Sequence, residues 1–270
     1  MYIACSSLVC KKDKYPGISD AFRKIKELGF QSVDVAAFEN WQNINPSELV
    51  SDNGDAAAAE VNSLLSETGM TVCSINAGLS RQLSDPDPQA LETVKKEFAA
   101  VLKFALKINA RNITLQPGKL PASGAIEDSI RTLAAALKEI SSISKGSGVT
   151  VSLEGHQGSI LEKPQNSLQI MEGVWPQIGL TYDPSHYVMQ QIRLEETEPL
   201  LKYTMHVHVR NAAVKKMQAS MQDGSVDFAW MVKALKVIDY KGALAVEYFN
   251  GFDADFGNTC ELRDLINGLI

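Results

Sequence analysis

Histidine is scarce in this chain, with 4 in 270 residues. Cysteine is equally rare, and Cys5, Cys10, Cys73 and Cys260 form neither a CxxC pair nor a dense framework. Their scatter excludes a disulfide-built scaffold and leads us to expect reduced thiols and a cytoplasmic location. No apolar run approaches the roughly 20 residues that span a bilayer, so no membrane partner is expected. The opening MYIACSSL lacks a basic leader, an apolar stretch and a small-residue cleavage site, so no export signal is expected. Basic charge is in short supply too: the net charge is −6, and a duplex-binding protein would usually show a basic face. Nucleic acid is therefore not expected as a partner. A glycine-rich phosphate turn is also missing, because the first β-rich segment runs into SSLVCKKDKYPG rather than GxGxxG. That argues against an open dinucleotide-binding sheet.

What the chain does have is a steady alternation. Eight β-rich segments occur in order: YIACSSL, QSVDVAAF, TVCSINAG, NITLQPG, VTVSLEGH, IGLTYDPSH, TMHVHVR and ALAVEYF. Segments with helical spacing of apolar residues lie between them, such as ISDAFRKIKELGF and AIEDSIRTLAAALKEISSISKG. Alternating β and α units predict a parallel sheet with helices outside it. Eight such units within about 250 residues predict a closed (β/α)8 TIM barrel. Residues 1–270 read as a single domain, since no linker or low-complexity tract divides them. The turns from helix to strand are short. Connections from strand to helix are longer, notably AFENWQNINPSELVSDNGD and AGLSRQLSDPDP, both read here as loops. In a barrel the long loops gather at the C-terminal ends of the strands, where active sites are built.

Side chains alternate between the two faces of a strand, and this parity locates the interior. In TMHVHVR, Val207 and Val209 suit the face beneath the helices, which turns His206, His208 and Arg210 inward. The same rule sends Ser152, Glu154 and His156 inward on the fifth strand, and Thr181 and Asp183 on the sixth. It sends Ala245, Glu247 and Phe249 inward on the eighth. Four consecutive strands thus deliver Glu154, Asp183, His208 and Glu247 to one end of the interior. Buried, unpartnered carboxylates are costly, and three together would repel one another and push their pKa values up. One divalent metal ion would resolve the conflict. Three carboxylates and one imidazole suit Mn²⁺, Mg²⁺, Co²⁺ or Zn²⁺ without choosing among them. The competing reading is a set of ordinary salt bridges, for which Arg210 is the nearby inward cation.

Other polar residues have plainer readings beside functional ones. His186, in the turn DPSH, and His156, ending its strand, are candidate rim groups that reach substrate oxygens or a ligand. His206 lies deeper and reads as a core hydrogen-bonding residue. Asp34, inward in SVDVAAF, reads equally as a substrate contact or as an acceptor for loop amides. Trp41 either caps a sugar face or anchors its loop. Lys215 and Lys216 read as solvated rather than as a phosphate site.

The ordered set SLEGH, TYDPSHY, HVHVR and AVEYF resembles the xylose isomerase-like TIM barrel superfamily. That superfamily includes sugar phosphate isomerases/epimerases, ketose 3-epimerases, hydroxypyruvate isomerase, inosose dehydratase, dehydroshikimate dehydratase and the AP endonucleases. The resemblance implies metal ligands at Glu154, Asp183, His208 and Glu247, and substrate contacts from His186 and Arg210. Two positions depart from the relatives' pattern. Asn211 stands where many carry an acidic residue. Gly155, His156 and Gln157 stand where ketose epimerases carry a further glutamate. All 4 histidines lie between positions 156 and 208. The first four strands therefore lack the histidines that the trinuclear zinc centre of the AP endonuclease branch would need.

These ligands suit a small carbohydrate with a carbonyl beside a hydroxyl. Chelation by the metal would stabilise the enediolate left by proton loss next to the carbonyl. Glu154 and Glu247, from different sides of the mouth, are the candidate acid–base pair. Returning the proton to the opposite face epimerises, and returning it to the neighbouring carbon isomerises. Losing a β-oxygen substituent makes the enzyme a lyase or dehydratase on a ketosugar or cyclic polyol, including inosose dehydratase-like or 3-ketoglycoside-eliminating chemistry. A metal-stabilised, non-catalytic carbohydrate-binding barrel is the reading outside enzymology. Relatives are commonly oligomers, so a homo-oligomer is a further expectation.

Overall fold

The computed structural model describes residues 1–121, 126–249 and 251–270. Eight strands form the barrel: β1 Tyr2–Ser6, β2 Ser32–Phe38, β3 Thr71–Gly78, β4 Asn112–Leu115, β5 Thr150–Glu154, β6 Gly179–Tyr182, β7 Thr204–Val209 and β8 Ala243–Val246. They are the eight segments read from the sequence, and they pair in chain order. The barrel closes where β8 lies parallel to β1, Tyr2 opposite Ala243 and Cys5 opposite Val246. Every neighbouring pair is parallel. The result is a (β/α)8 TIM barrel.

The helices that follow the strands are α1 Ile18–Glu27, α2 Pro46–Asp52, α3 Asp55–Thr68, α4 Pro88–Lys107, α5 Ile126–Ser144, α6 Pro164–Val174, α7 Pro184–Val188, α8 Glu198–Leu201, α9 Phe228–Val237 and α10 Gly257–Leu269. Their starts and buried faces follow from local chemistry. Asp87 caps α4 by accepting from the Gln89 amide, with Pro88 at the first helical position, where its missing N–H costs nothing. In α1, Ile18, Ala21, Phe22 and Ile25 are buried at the spacing of one helical face. Phe228, Met231, Val232 and Leu235 do the same in α9. Val151, Leu153, Leu180, Tyr182, Val207, Val209, Leu244 and Val246 join these helices in one apolar layer.

One stretch read as loop is in part helical. Within AFENWQNINPSELVSDNGD, Pro46–Asp52 forms α2, preset by proline and ended by Asn53 in the left-handed region at φ 56°. Only Pro46 and Leu49 of this helix are buried, which is too short a stripe to stand out in the sequence.

Inside the barrel, small polar side chains link the strands beneath the mouth. Asn112 Nδ2 donates to Ser74 Oγ at 3.1 Å and to Ser152 Oγ at 3.0 Å. Thr181 Oγ1 lies 2.8 Å from Thr114 Oγ1 and 2.6 Å from Ser152 Oγ. These buried groups satisfy one another and give a fixed floor on which longer side chains stand. Among the described residues, no helix is long and apolar enough to cross a membrane. All four cysteines are free thiols.

Candidate active site

The inward parity of the second half brings its charged residues together at the C-terminal end of the barrel. Glu154 ends β5, and His208 lies on β7. Asp183, Arg210 and Glu247 are reached just past β6, β7 and β8, and His186 lies in α7. None of these six is more than 5% exposed. His208 Nδ1 lies 3.2 Å from Glu154 Oε1 and 3.5 Å from Glu247 Oε2. Candidate ligand atoms of Glu154, His208 and Glu247 all lie within 4.8 Å of one another, as do those of Glu154, Asp183 and His186. Glu154 is common to both groups and so joins Asp183 to the rest.

Asp183 meets its neighbours with two different oxygens. Oδ1 caps α7 by accepting from the Ser185 amide at 2.8 Å. Oδ2 lies 2.9 Å from Arg210 Nη2 and 3.6 Å from His186 Nε2. Arg210 Nη1 also donates to Glu247 Oε2 at 3.0 Å, and Arg210 Nε donates to Ser185 Oγ at 3.0 Å. The salt-bridge reading is thus realised in part, alongside the cluster of acids and imidazole. His156 is half-buried at the rim, its ring 5.8 Å from that of His186. Lys215 and Lys216 are exposed.

The other half of the barrel supplies partners that parity alone did not name. Asp34 accepts from His206 Nε2 at 2.9 Å and from His208 Nε2 at 2.8 Å, both on the same oxygen. It serves imidazoles, not loop amides. His206 is the core hydrogen-bonding residue expected. Gln116 Nε2 donates to Glu154 Oε2 at 2.8 Å, and Asn76 Nδ2 donates to Glu247 Oε1 at 3.0 Å. Asn76 could have been picked out, because it shares the inward parity of Ser74 on β3. Gln116, just past β4, shares the inward parity of Asn112 and Thr114 and could have been picked out in the same way.

Charge is distributed unevenly, which corrects the expectation that all three acids rise together. Burial pushes Glu247 up, to about 7. Burial also works to raise Glu154, but the hydrogen bond and charge of His208 outweigh it and hold that carboxyl well below the usual range. Burial disfavours charge on His208. The negative charge of Glu247 and the hydrogen bonds to Asp34 and Glu154 more than reverse this, lifting the ring well above its ordinary value. Asp34 is likewise pushed up by burial and brought down to about 2 by the two imidazoles. His186 is lowered to about 4, chiefly by burial, and is neutral near pH 7.

A divalent cation fits these donors. Asp183 Oδ2 is buried and, beyond its 2.9 Å charge contact with Arg210, finds no aligned hydrogen-bond donor among the described residues. It is a polar atom of the kind that an ion would satisfy. His208 is oriented as metal-binding histidines commonly are, one ring nitrogen facing a carboxylate behind it and the other facing the acids. Metal binding there would exchange the Nδ1 proton for the ion.

A family model described as "Xylose isomerase-like TIM barrel" matches residues 22–263. The chain belongs to this family. Among relatives of the xylose isomerase-like TIM barrels, the inosose dehydratase of Histophilus somni (strain 129Pt) is 27% identical over 137 residues, 43% of this chain and 46% of that protein. The match therefore spans about half the length of that curated relative. Among solved structures, the chain is similar to the E. coli 3-keto-D-glucoside 4-epimerase YcjR, with 17% identity and a TM-score of 0.73 over 100% of this chain and 98% of that one. It is also similar to the IOLI protein with a bound zinc atom, with 14% identity and a TM-score of 0.79 over 100% and 99%. At these identities the structural likeness speaks for the fold.

The departure at Asn211 from the acidic residue of many family members has a local explanation. Its buried amide braces the loop after β7, donating to the Ser220 carbonyl at 3.1 Å and accepting from the Ala212 and Val226 amides at 3.0 and 3.2 Å. A Cβ at Gly224 would lie 2.0 Å from this side chain, so the loop can close over it only with glycine there.

Proposed function

We propose that this protein is a divalent-metal-dependent isomerase or epimerase of a small carbohydrate, working by proton abstraction next to a carbonyl. The observation that carries the reading is that Glu154 and Glu247, from β5 and β8, both approach one imidazole nitrogen, His208 Nδ1, at 3.2 and 3.5 Å. Glu154, Asp183, His208 and Glu247 would hold Mn²⁺, Mg²⁺, Co²⁺ or Zn²⁺. When bound, the ion supplies Lewis-acid stabilisation of negative charge developing on the substrate oxygens.

The remaining steps belong to the chain's own groups. One glutamate takes the proton from the carbon beside the carbonyl, and the other delivers a proton to the enediolate. Coming from different strands, they are suited to opposite faces of the sugar. Asn76 and Gln116 hold the two carboxylates in place, and Asp34 fixes the ring of His208. His186, Arg210 and His156 are the candidate contacts to substrate hydroxyls. The barrel mouth excludes water from the buried acids, which strengthens each interaction there.

A second reading is a lyase or dehydratase on a ketosugar or cyclic polyol, favoured by the partial similarity to inosose dehydratase. Both chemistries share the first proton abstraction. Incubating the protein with Mn²⁺ and candidate ketoses or inososes in D2O separates them. Deuterium at the α-carbon without elimination supports the isomerase or epimerase, and loss of water or aglycone supports the lyase. Tight binding of sugar with neither would leave a non-catalytic carbohydrate-binding barrel.

A further inference from the structure

We propose that Arg210 is a built-in counter-cation that competes with the divalent ion for Asp183 and Glu247, so that ion entry and release of the guanidinium are linked. This rests on the metal-dependent reading above. Each of the two carboxylates has one oxygen already committed elsewhere. Asp183 Oδ1 caps α7 through the Ser185 amide, and Glu247 Oε1 accepts from Asn76. The oxygens left for an ion are Asp183 Oδ2 and Glu247 Oε2. Arg210 reaches both, with Nη2 at 2.9 Å from the first and Nη1 at 3.0 Å from the second. One fork therefore spans the two acids across the ends of β6 and β8. An ion bound to the same oxygens would sit within a few ångströms of a buried like charge, where repulsion is only weakly screened.

The grip on Asp183 is also the looser of the two. The Arg210 contact to Oδ2 is a close charge contact without an aligned hydrogen bond. Nη2 further faces His186 Nε2 at 2.7 Å, while the Gln157 amide donates to Nδ1 of the same ring at 3.2 Å. A neutral imidazole has a single acceptor nitrogen, so the two donors cannot both be satisfied. Other contacts would keep the arginine nearby once it lets go. Nε donates to Ser185 Oγ at 3.0 Å, and the guanidinium carbon lies 5.0 Å from the centre of the Phe249 ring.

The test is calorimetric titration of metal-stripped, full-length protein with Zn²⁺. We expect Arg210→Gln to bind Zn²⁺ about tenfold tighter than the wild type. Arg210→Lys, which keeps the charge but loses the fork, falls between them. Equal or weaker binding by Arg210→Gln, with the wild type still binding, overturns the counter-cation and leaves the metal site standing. If no form binds Zn²⁺, the metal reading falls and takes this inference with it. Should Arg210→Gln fail to fold, the wild type decides alone. The Arg210 Nη–H resonances, assigned with Arg210→Lys, must shift on Zn²⁺ saturation, and unmoved signals in Zn²⁺-saturated protein overturn the exchange.

Discussion

The first four strands and the last four close one barrel, yet they carry different chemistry. At or just past the ends of β5 to β8 lie Glu154, Asp183, His208 with Arg210, and Glu247, all ionisable and all buried at one end. β1 to β4 offer the hydrogen-bonding side chains that hold that set: Asn76 to Glu247, Gln116 to Glu154, and the acceptor Asp34 behind His208. On the proposed reading, one half supplies the reacting and ligating groups, and the other fixes their positions. The division has a physical reason. A cluster of acids is less costly when most of its oxygens have donors, and charged donors on every side would leave nothing for an ion or substrate to bind.

The division of labour can be broken by substitution in either half. The largest effect is expected from the second. Glu154→Ala should lose stoichiometric metal, measured by elemental analysis after purification, and lower α-deuterium exchange about a thousandfold. Full metal occupancy in that variant would remove Glu154 from the ligand set. Next comes a first-half residue: Asp34→Asn should keep the fold but weaken metal affinity roughly 10–100-fold, read by titration. Unchanged affinity would make Asp34 a purely structural partner of His206. Asn76→Ala should cost less. Losing one hydrogen bond to a buried carboxylate should slow exchange about tenfold while bound metal stays at wild-type stoichiometry. A loss as deep as that of Glu154→Ala would erase the distinction between the two halves. The smallest effect belongs to the exposed pair after β7. Lys215→Ala with Lys216→Ala should change exchange by less than about twofold, as expected of solvated charges. A selective loss on phosphorylated sugars would instead mark a phosphate contact.

Much of this was legible beforehand. Strand parity turned Glu154, Asp183, His208 and Glu247 inward, and all four meet at one end of the barrel. Parity says which face a side chain takes, but not what it meets across a closed sheet. His206 and His208 are separated from Asp34 by 172 and 174 positions. No local signal could pair an alternating HVHVR with a SVDVAAF so far upstream. The same limit hid the partner of Gln116, which meets Glu154 of β5. It also hid the double grip of Arg210, expected only as an inward cation or a substrate contact. The short helix α2 escaped because two buried residues do not make a period.

From sequence alone came the repeated β and α segments, the inward-facing residues and their order, because hydrophobic spacing and alternation are local properties of a chain. Tertiary structure decided which oxygen of each acid is taken, which nitrogen of His208 faces Glu154 and Glu247, and that Arg210 bridges Asp183 and Glu247. Those choices depend on how strands distant in the chain are brought side by side when β8 closes on β1, and that geometry belongs to the whole barrel rather than to any one of its segments.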